Sequence, residues 1–348
     1  MQMCHLRFGL LLATALAAAH VVGCQGSERG PAAPADSVAL PARGFYMGVL
    51  PMPAEGQSFD SAYAVAAAYS EFVPVWGKPS SFYDLADDLK GDWGRTFVEQ
   101  LIRDKGMFPL VQMSFMDTGM TLKTPPELAG ATLSDSAWRR AYEQAALDVV
   151  RACRPRYLSI GNEVNRWYEK YGMSGANGFQ NYVSLFCDMY DTLKTLSPGI
   201  VVFCTFAREI VAENCEADLS VLSLFPKEKL DLLAFTSYPH AVQGRSRPES
   251  IPDDYYSRAL NIVPGKLIGF SEVGWPSFEA FGGEQSQADF IVELGGRLTA
   301  GQGIGLHLLG WPWLCDLDST DRMGLFRRDG TAKPAWEQWK LLSARPAD

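Results

Sequence analysis

Eight short runs of apolar, β-branched and aromatic residues recur along the chain, and the stretches between them are helical in pattern. The runs are FYMGVL (45–50), FVPVW (72–76), FPLVQMS (108–114), YLSIGN (157–162), IVVFCTF (200–206), LLAFTS (232–237), LIGFSE (267–272) and IGLHLLGW (304–311). Nearly all are apolar at successive positions, so they predict strands covered on both faces, as in an all-parallel sheet flanked by helices. The intervening stretch 134–153 opens on a Ser/Asp cap and carries an apolar stripe at Ala141, Ala145, Leu147, Val149 and Val150. Stretches 179–196 and 285–300 read the same way, and 334–343 begins with proline at a first-turn position. Eight such units over about 300 residues predict an α/β fold, a (β/α)8 TIM barrel in a single domain spanning 44–348. The competing architecture, a doubly wound open sheet, would favour GxGxxG after the first strand, where GVLPMPAEG stands instead.

Ahead of that domain, Arg7 precedes the apolar run FGLLLATALAAAHVV, which ends at Gly23-Cys24. The run is short for a bilayer span and fits the central region of a secretory signal. VVGC resembles the bacterial lipobox, in which a small residue precedes a cysteine that is diacylated and becomes the new N-terminus. That resemblance implies a lipoprotein signal peptide at 1–23, lipidation at Cys24 and an acyl anchor in a membrane of a bacterial cell envelope. Residues 24–43, rich in Pro, Gly, Ala and Ser, are expected to be a flexible tether.

Net charge narrows the partners. Loss of residues 1–23 removes only Arg7, taking the chain from −9 to −10. That balance argues against nucleic acid and polyanionic substrates and leaves neutral ligands open. With Cys24 acylated, five cysteines remain beyond it, none in CxxC spacing, so at least one is unpaired and buried thiols are expected. Only His240 and His307 lie beyond residue 23, which disfavours a His-rich metal site. No metal or cofactor is expected, and a monomer is.

In a barrel of this kind, chemistry sits where strands run out at the C-terminal face. The fourth run ends at Asn162-Glu163 and the seventh, in LIGFSEVGWPS, at Glu272. Each glutamate alone reads as a surface ion-pair partner or a helix-start acid. Together, at the ends of strands that face each other across one mouth, they form a candidate pair. Two carboxyl groups about 5–5.5 Å apart suit retaining glycoside chemistry, one attacking the anomeric carbon while the other protonates the leaving oxygen. Mutual repulsion would keep one protonated beside its charged neighbour.

IGNEVN and GFSEVGWPS resemble the strand-four and strand-seven signatures of clan A glycoside hydrolases. The second is close to the SETGWPS of family 17 β-1,3-glucanases, with Val273 in place of Thr, and its likeness to family 53 β-1,4-galactanases is looser. The resemblance implies a retaining mechanism with Glu163 as acid/base, Glu272 as nucleophile and Asn162 on the substrate's 2-hydroxyl. Tyr238, in FTSYPH, falls where clan members place a tyrosine that hydrogen-bonds the nucleophile. Trp311, in LLGWPWLCD, falls where they place an aromatic floor beneath the sugar, with Trp313 as a second candidate; the other reading of Trp311 is a plug of the barrel. A cis bond at Trp311–Pro312 is a further expectation from the clan. MGLFRRDGTAKPAWEQW resembles the clan's approach to the last helix, so the likeness runs from the fourth strand to the C-terminus. The first half aligns only by unit count.

Sugar rings lie on aromatic faces, and Trp76, Trp167, Tyr168, Trp275 and Phe278 fall just past predicted strand ends. Loop packing is the ordinary reading of such residues. Lys170, Arg245 and Arg247 lie in long loops after the fourth and sixth strands, where solvated charge is the default and contact with a charged sugar the alternative. The reading that follows is a hydrolase of a β-linked neutral polysaccharide or oligosaccharide, of β-glucan or galactan type. A cell-surface glycan-binding protein without turnover, or a scaffold with no ligand, would not need an acid pair with its Asn and Tyr.

Overall fold

The computed structural model describes residues 35–346 apart from 77–80, 118 and 299. The signal segment, Cys24 and the first part of the expected tether lie outside the described residues. The barrel strands are Tyr46–Val49, Phe72–Val75, Phe108–Gln112, Tyr157–Ser159, a split fifth strand, Leu233–Ser237, Ile268–Val273 and Leu306–Trp311. The fifth is broken at Cys204 into Val201–Phe203, which pairs with the fourth, and Thr205–Ala207, which pairs with the sixth. Every pairing in this sheet is parallel. The first strand pairs with the eighth, from Tyr46↔Leu308 to Val49↔Trp311. At the break, the Thr205 N–H donates to the Gly161 carbonyl at 2.9 Å, so the ring closes and the open sheet is excluded.

The helical patterns form helices at Ser136–Cys153, Phe179–Leu196, Gly283–Arg297 and Pro334–Ser343. The first is capped by the Asp135 carboxylate, which accepts from the Ala137 N–H. After the fifth and sixth strands the chain makes short 3-10 turns, such as Ser220–Leu224 and Ser257–Asn261.

Side-chain alternation sorts the apolar residues into two layers. Tyr46, Phe72, Phe108, Leu110, Tyr157, Phe203, Leu232, Ala234 and Leu308 fill the barrel. Met47, Val49, Val73, Val75, Phe270, Leu309 and Trp311 face the surrounding helices. The seventh strand breaks this alternation once. Phe235 pairs with Phe270, but the next residue, Thr236, pairs with Glu272, so Ser271 is an extra residue in a β-bulge. Gly310 on the eighth strand makes room for it, because a Cβ there would lie 2.2 Å from the Ser271 carbonyl oxygen.

Residues 35–43, expected within the tether, instead lie against the N-terminal end of the barrel. The buried Asp36 carboxylate pairs with Arg103 Nε at 2.8 Å and accepts the Arg156 N–H at 3.0 Å. The Val38 carbonyl accepts from Tyr46 OH and Arg156 Nη1, at 3.0 and 3.1 Å. These partners satisfy polar groups that composition alone leaves to solvent. The five cysteines among the described residues, Cys153, Cys187, Cys204, Cys215 and Cys315, are all free. Described peptide bonds are trans, including Trp311–Pro312, where a cis bond was expected. Even before proline, trans is the lower state by about 0.5–1 kcal/mol.

Candidate active site

The fourth strand ends at Ser159, and the following residues turn across the barrel mouth. Glu163 takes the left-handed conformation, with φ of 50°. For a residue with a Cβ this costs on the order of 1–2 kcal/mol, and such strain collects at functional sites. The surroundings hold it there. Thr205 Oγ1 accepts the Glu163 N–H at 2.9 Å and donates to Asn162 Oδ1 at 2.7 Å. Buried Asn165 clamps the helix start to the fifth strand, donating to the Ala207 carbonyl at 2.9 Å and accepting its N–H at 2.8 Å. Behind the turn, Tyr142 and Tyr182 hydroxyls donate to the Ile160 carbonyl. Gly161 is required by the close approach, since a Cβ would lie 2.2 Å from the Tyr182 hydroxyl.

Glu272 reaches the same mouth because of the bulge. Two residues after outward-facing Phe270, strict alternation would turn it toward the helices. The extra residue Ser271 resets the register, so Glu272 shares the face of its partner Thr236. The sixth strand then engages both acids. Thr236 Oγ1 donates to Glu163 Oε1 at 2.8 Å, and the Tyr238 hydroxyl donates to Glu272 Oε2 at 2.5 Å. Thr236 and Tyr238 are two residues apart, so the two carboxylates are held from one short segment at one end of the barrel. Asn162, Glu163, Tyr238 and Glu272 are all half-buried.

The aromatic candidates divide. Trp76 and Trp313 are half-buried, and Trp313 Nε1 donates to Asp321 Oδ2 at 3.1 Å. Burial raises the pKa of Asp321. Trp311 and Trp275 are fully buried and do not present their faces to a groove. Trp311 pairs with outward Val49, packs near Phe290 and Trp339, and donates its indole N–H to the Met323 carbonyl. The inward positions nearest it on the strand are Leu308 and Gly310, so the expected aromatic floor does not come from Trp311. Trp275 lies against Phe290 and His240, its N–H bound to the Phe281 carbonyl. Trp167 is likewise buried, donating to the Asn177 carbonyl.

The loop cations are engaged elsewhere. Lys170 donates to the carbonyls of Gly119 and Met120, bracing the loop after the third strand, and Arg245 pairs with Glu216. A buried ion pair, Lys333 to Asp316 at 2.6 Å, with Lys333 also donating to Ser277 Oγ, ties the last two loops together.

One buried acid was not singled out by sequence. Glu209, two residues past the fifth strand, accepts from Ser237 Oγ at 2.9 Å, from the Tyr238 N–H at 2.6 Å and from Tyr255 OH at 2.5 Å. Burial pushes its pKa up, against the hydrogen bonds and the charge of Arg208. The only available signal was its place just after a strand end, the same placement as Glu163 and Glu272. Its sequence context, AREIVAENCE, holds three further charged residues and none of the eight apolar runs.

No protein-family model and no curated protein sequence matches the chain. Solved structures match in fold. A GH5_18 protein from Streptomyces cattleya, in complex with GlcNAc, superposes with a TM-score of 0.61 at 15% identity, covering 88% of this chain and 82% of that one. A variant of it was crystallised with Manb1-4GlcNAc. A family 39 glycoside hydrolase from Bacteroides cellulosilyticus WH2 gives 0.60 at 14% identity, covering 87% of this chain and 64% of that one. The β-glycosidase BGL167 gives 0.58 at 13% identity, with 82% and 84% covered. The resemblance to families 17 and 53 rests on the short motifs alone. What these comparisons show of the chain is its architecture, the (β/α)8 barrel in which clan A glycoside hydrolases are built.

Proposed function

We propose that the protein is a retaining O-glycosyl hydrolase acting on a β-linked neutral polysaccharide or oligosaccharide. The observation that carries this reading is the grip of one short segment, 236–238, on two carboxylates, Thr236 on Glu163 and Tyr238 on Glu272. A binding surface has no need of two acids so held. In the first step the Glu272 carboxylate attacks the anomeric carbon while the Glu163 carboxyl gives its proton to the departing glycosidic oxygen. The products are a glycosyl ester on Glu272 and a free leaving alcohol. In the second, Glu163 takes a proton from water, which displaces Glu272 and restores both groups. The Tyr238 hydroxyl orients Glu272 and stabilises its charged form. Asn162, held through Thr205, serves the 2-hydroxyl, and Trp76 and Trp313 are the ring candidates left for the groove. Several fold neighbours act on or bind sugars, as their names say, which supports a β-linked substrate. A β-glucan or galactan remains the motif-based choice.

The test is mutational and chemical. Glu272→Gln is expected to abolish turnover while glycan binding persists. Glu163→Ala is expected to retain hydrolysis of aryl glycosides with good leaving groups and, with azide, to yield a β-glycosyl azide. Labelling by a 2-fluoro glycosyl fluoride should map to the peptide bearing Glu272. Two mutants that behave alike, with no azide product, would overturn the assignment. We further propose anchoring in a bacterial cell envelope through acylated Cys24. Labelled fatty acid incorporated by the wild type and lost in Cys24→Ala tests that proposal.

A further inference from the structure

Glu209 is 4% exposed and lies outside the pair that would do the chemistry. Its carboxylate receives the backbone N–H of Tyr238 and the hydroxyl of Ser237, the two residues at which the sixth strand ends. Tyr238 has an irregular backbone, φ −133° and ψ 70°, where the chain leaves the sheet for the Pro239–Ala241 turn. Sheet pairing therefore no longer dictates the direction of its side chain, and its backbone is held instead by Glu209 and by the Ala241 N–H, which donates to its carbonyl at 2.9 Å. That side chain ends on Glu272.

The acid is itself fixed. Tyr255, fully buried, donates its hydroxyl to Glu209, and Arg208 donates from Nη2 to the Tyr255 carbonyl at 2.6 Å while its guanidinium lies 4.3 Å from the Tyr255 ring centroid. Arg245 and Arg258 also lie over that ring, and both pair with Glu216. The Arg208 N–H donates to the Thr236 carbonyl at 3.0 Å, so the segment carrying Glu209 is laced to the strand whose end it holds. A buried carboxylate with three donors and a cation beside it costs desolvation energy that hydrophobic packing would not. Its own bond nearest the mouth is the one to the Tyr238 N–H.

We infer that Glu209 is a positioning residue, which aims the Tyr238 phenol at Glu272 by gripping the backbone from which that phenol springs. The inference rests on the hydrolase reading for its kinetic consequence but not for its geometry. Glu209→Ala removes the acceptor, and kcat on an aryl β-glycoside should fall about 10- to 100-fold, the range expected of a misplaced reacting group. KM should stay within about threefold. Glu209→Gln keeps an acceptor oxygen, so kcat should recover to within about threefold of wild type. Should Glu209→Ala not fold, Glu209→Met fills the space without an acceptor and takes its place. The decisive measurement is a double-mutant cycle with Tyr238→Phe. If Glu209 acts through the phenol, the double variant is no slower than the slower single one; multiplicative losses overturn the inference. Tyrosine labelled at 13Cζ answers the same question without turnover. The Tyr238 resonance, assigned by its loss in Tyr238→Phe, should move in Glu209→Ala and hold in Glu209→Gln, and an unmoved resonance in Glu209→Ala overturns the inference. A wild type that neither turns over nor is labelled would remove the hydrolase reading alone, and the resonance would still decide the role of Glu209.

Discussion

Replacing Gly310 with alanine would set a methyl carbon 2.2 Å from the Ser271 carbonyl oxygen, 2.8 Å from its carbonyl carbon and 3.0 Å from the Phe270 oxygen. A relaxed C···O contact lies near 3.3–3.6 Å, so the seventh and eighth strands must part locally by roughly 1 Å. All three neighbours are backbone atoms, and no rotamer change can relieve them. What moves is the bulge that turns Glu272 into the mouth. Overpacking of this kind costs about 1–3 kcal/mol, which leaves a large single domain folded. A shift of about 1 Å at a reacting group is a far larger kinetic loss, on the order of 100-fold. The expected result is a folded variant with kcat for an aryl β-glycoside lowered about 100-fold, and with labelling by a 2-fluoro glycosyl fluoride slowed to match. Gly296→Ala is the control, because nothing lies within 4 Å of its Cβ and it sits inside the Gly283–Arg297 helix. It should gain up to about 1 kcal/mol of stability with kcat unchanged. Wild-type kcat in folded Gly310→Ala would refute the claim that the bulge aims Glu272.

Three further outcomes follow from the geometry. Asp36→Ala removes the carboxylate shared by Arg103 and the Arg156 N–H, and unfolding in urea should show a loss of about 2–4 kcal/mol; a loss below about 0.5 kcal/mol would mean that the segment is not clamped. Thr205→Val keeps the shape but leaves Asn162 and the Glu163 N–H without their shared hydroxyl, so stability should drop about 1–3 kcal/mol and kcat should fall with it; an unchanged kcat would count against Thr205 as a support of the mouth. His307, 2.7 Å from Tyr157 OH at the barrel floor, has its pKa lowered from 6.5 to about 4, chiefly by burial. The unfolded chain therefore binds the proton first, and this contribution to stability, complete above pH 6.5, is lost as pH falls toward 4. The thermal midpoint should decline across that window, and His307→Gln should decline less steeply; equal slopes would discount the residue.

The architecture was legible because both faces of every strand are covered. Tyr46 and Met47, or Leu308 and Leu309, are apolar neighbours facing opposite layers, so the runs stand out against helical stretches. The two acids were legible as strand-end residues, but their directions were not. Alternation counted from Phe270 turns Glu272 outward, and only the bulge at Ser271, with Gly310 beside it, reverses that result. The same parity explains Trp311. Its position at the end of the strand suggested a floor under a sugar, yet it pairs with outward Val49 and is buried among helices. Glu209 was missed because burial of a charge is decided by distant partners, here Ser237, Tyr238 and Tyr255, and no local pattern of residues encodes them.

The Asp36 clamp has a mechanical consequence. Tension applied at Ala35 would be borne by the Arg154 carbonyl that accepts its N–H, by Arg103 and by the Arg156 backbone, in the segments that lead into the third and fourth strands. The load enters along the staves at the base of the cask, a full strand length from the rim where Glu163 and Glu272 sit. A pull from that end loads the base first and reaches the acids last.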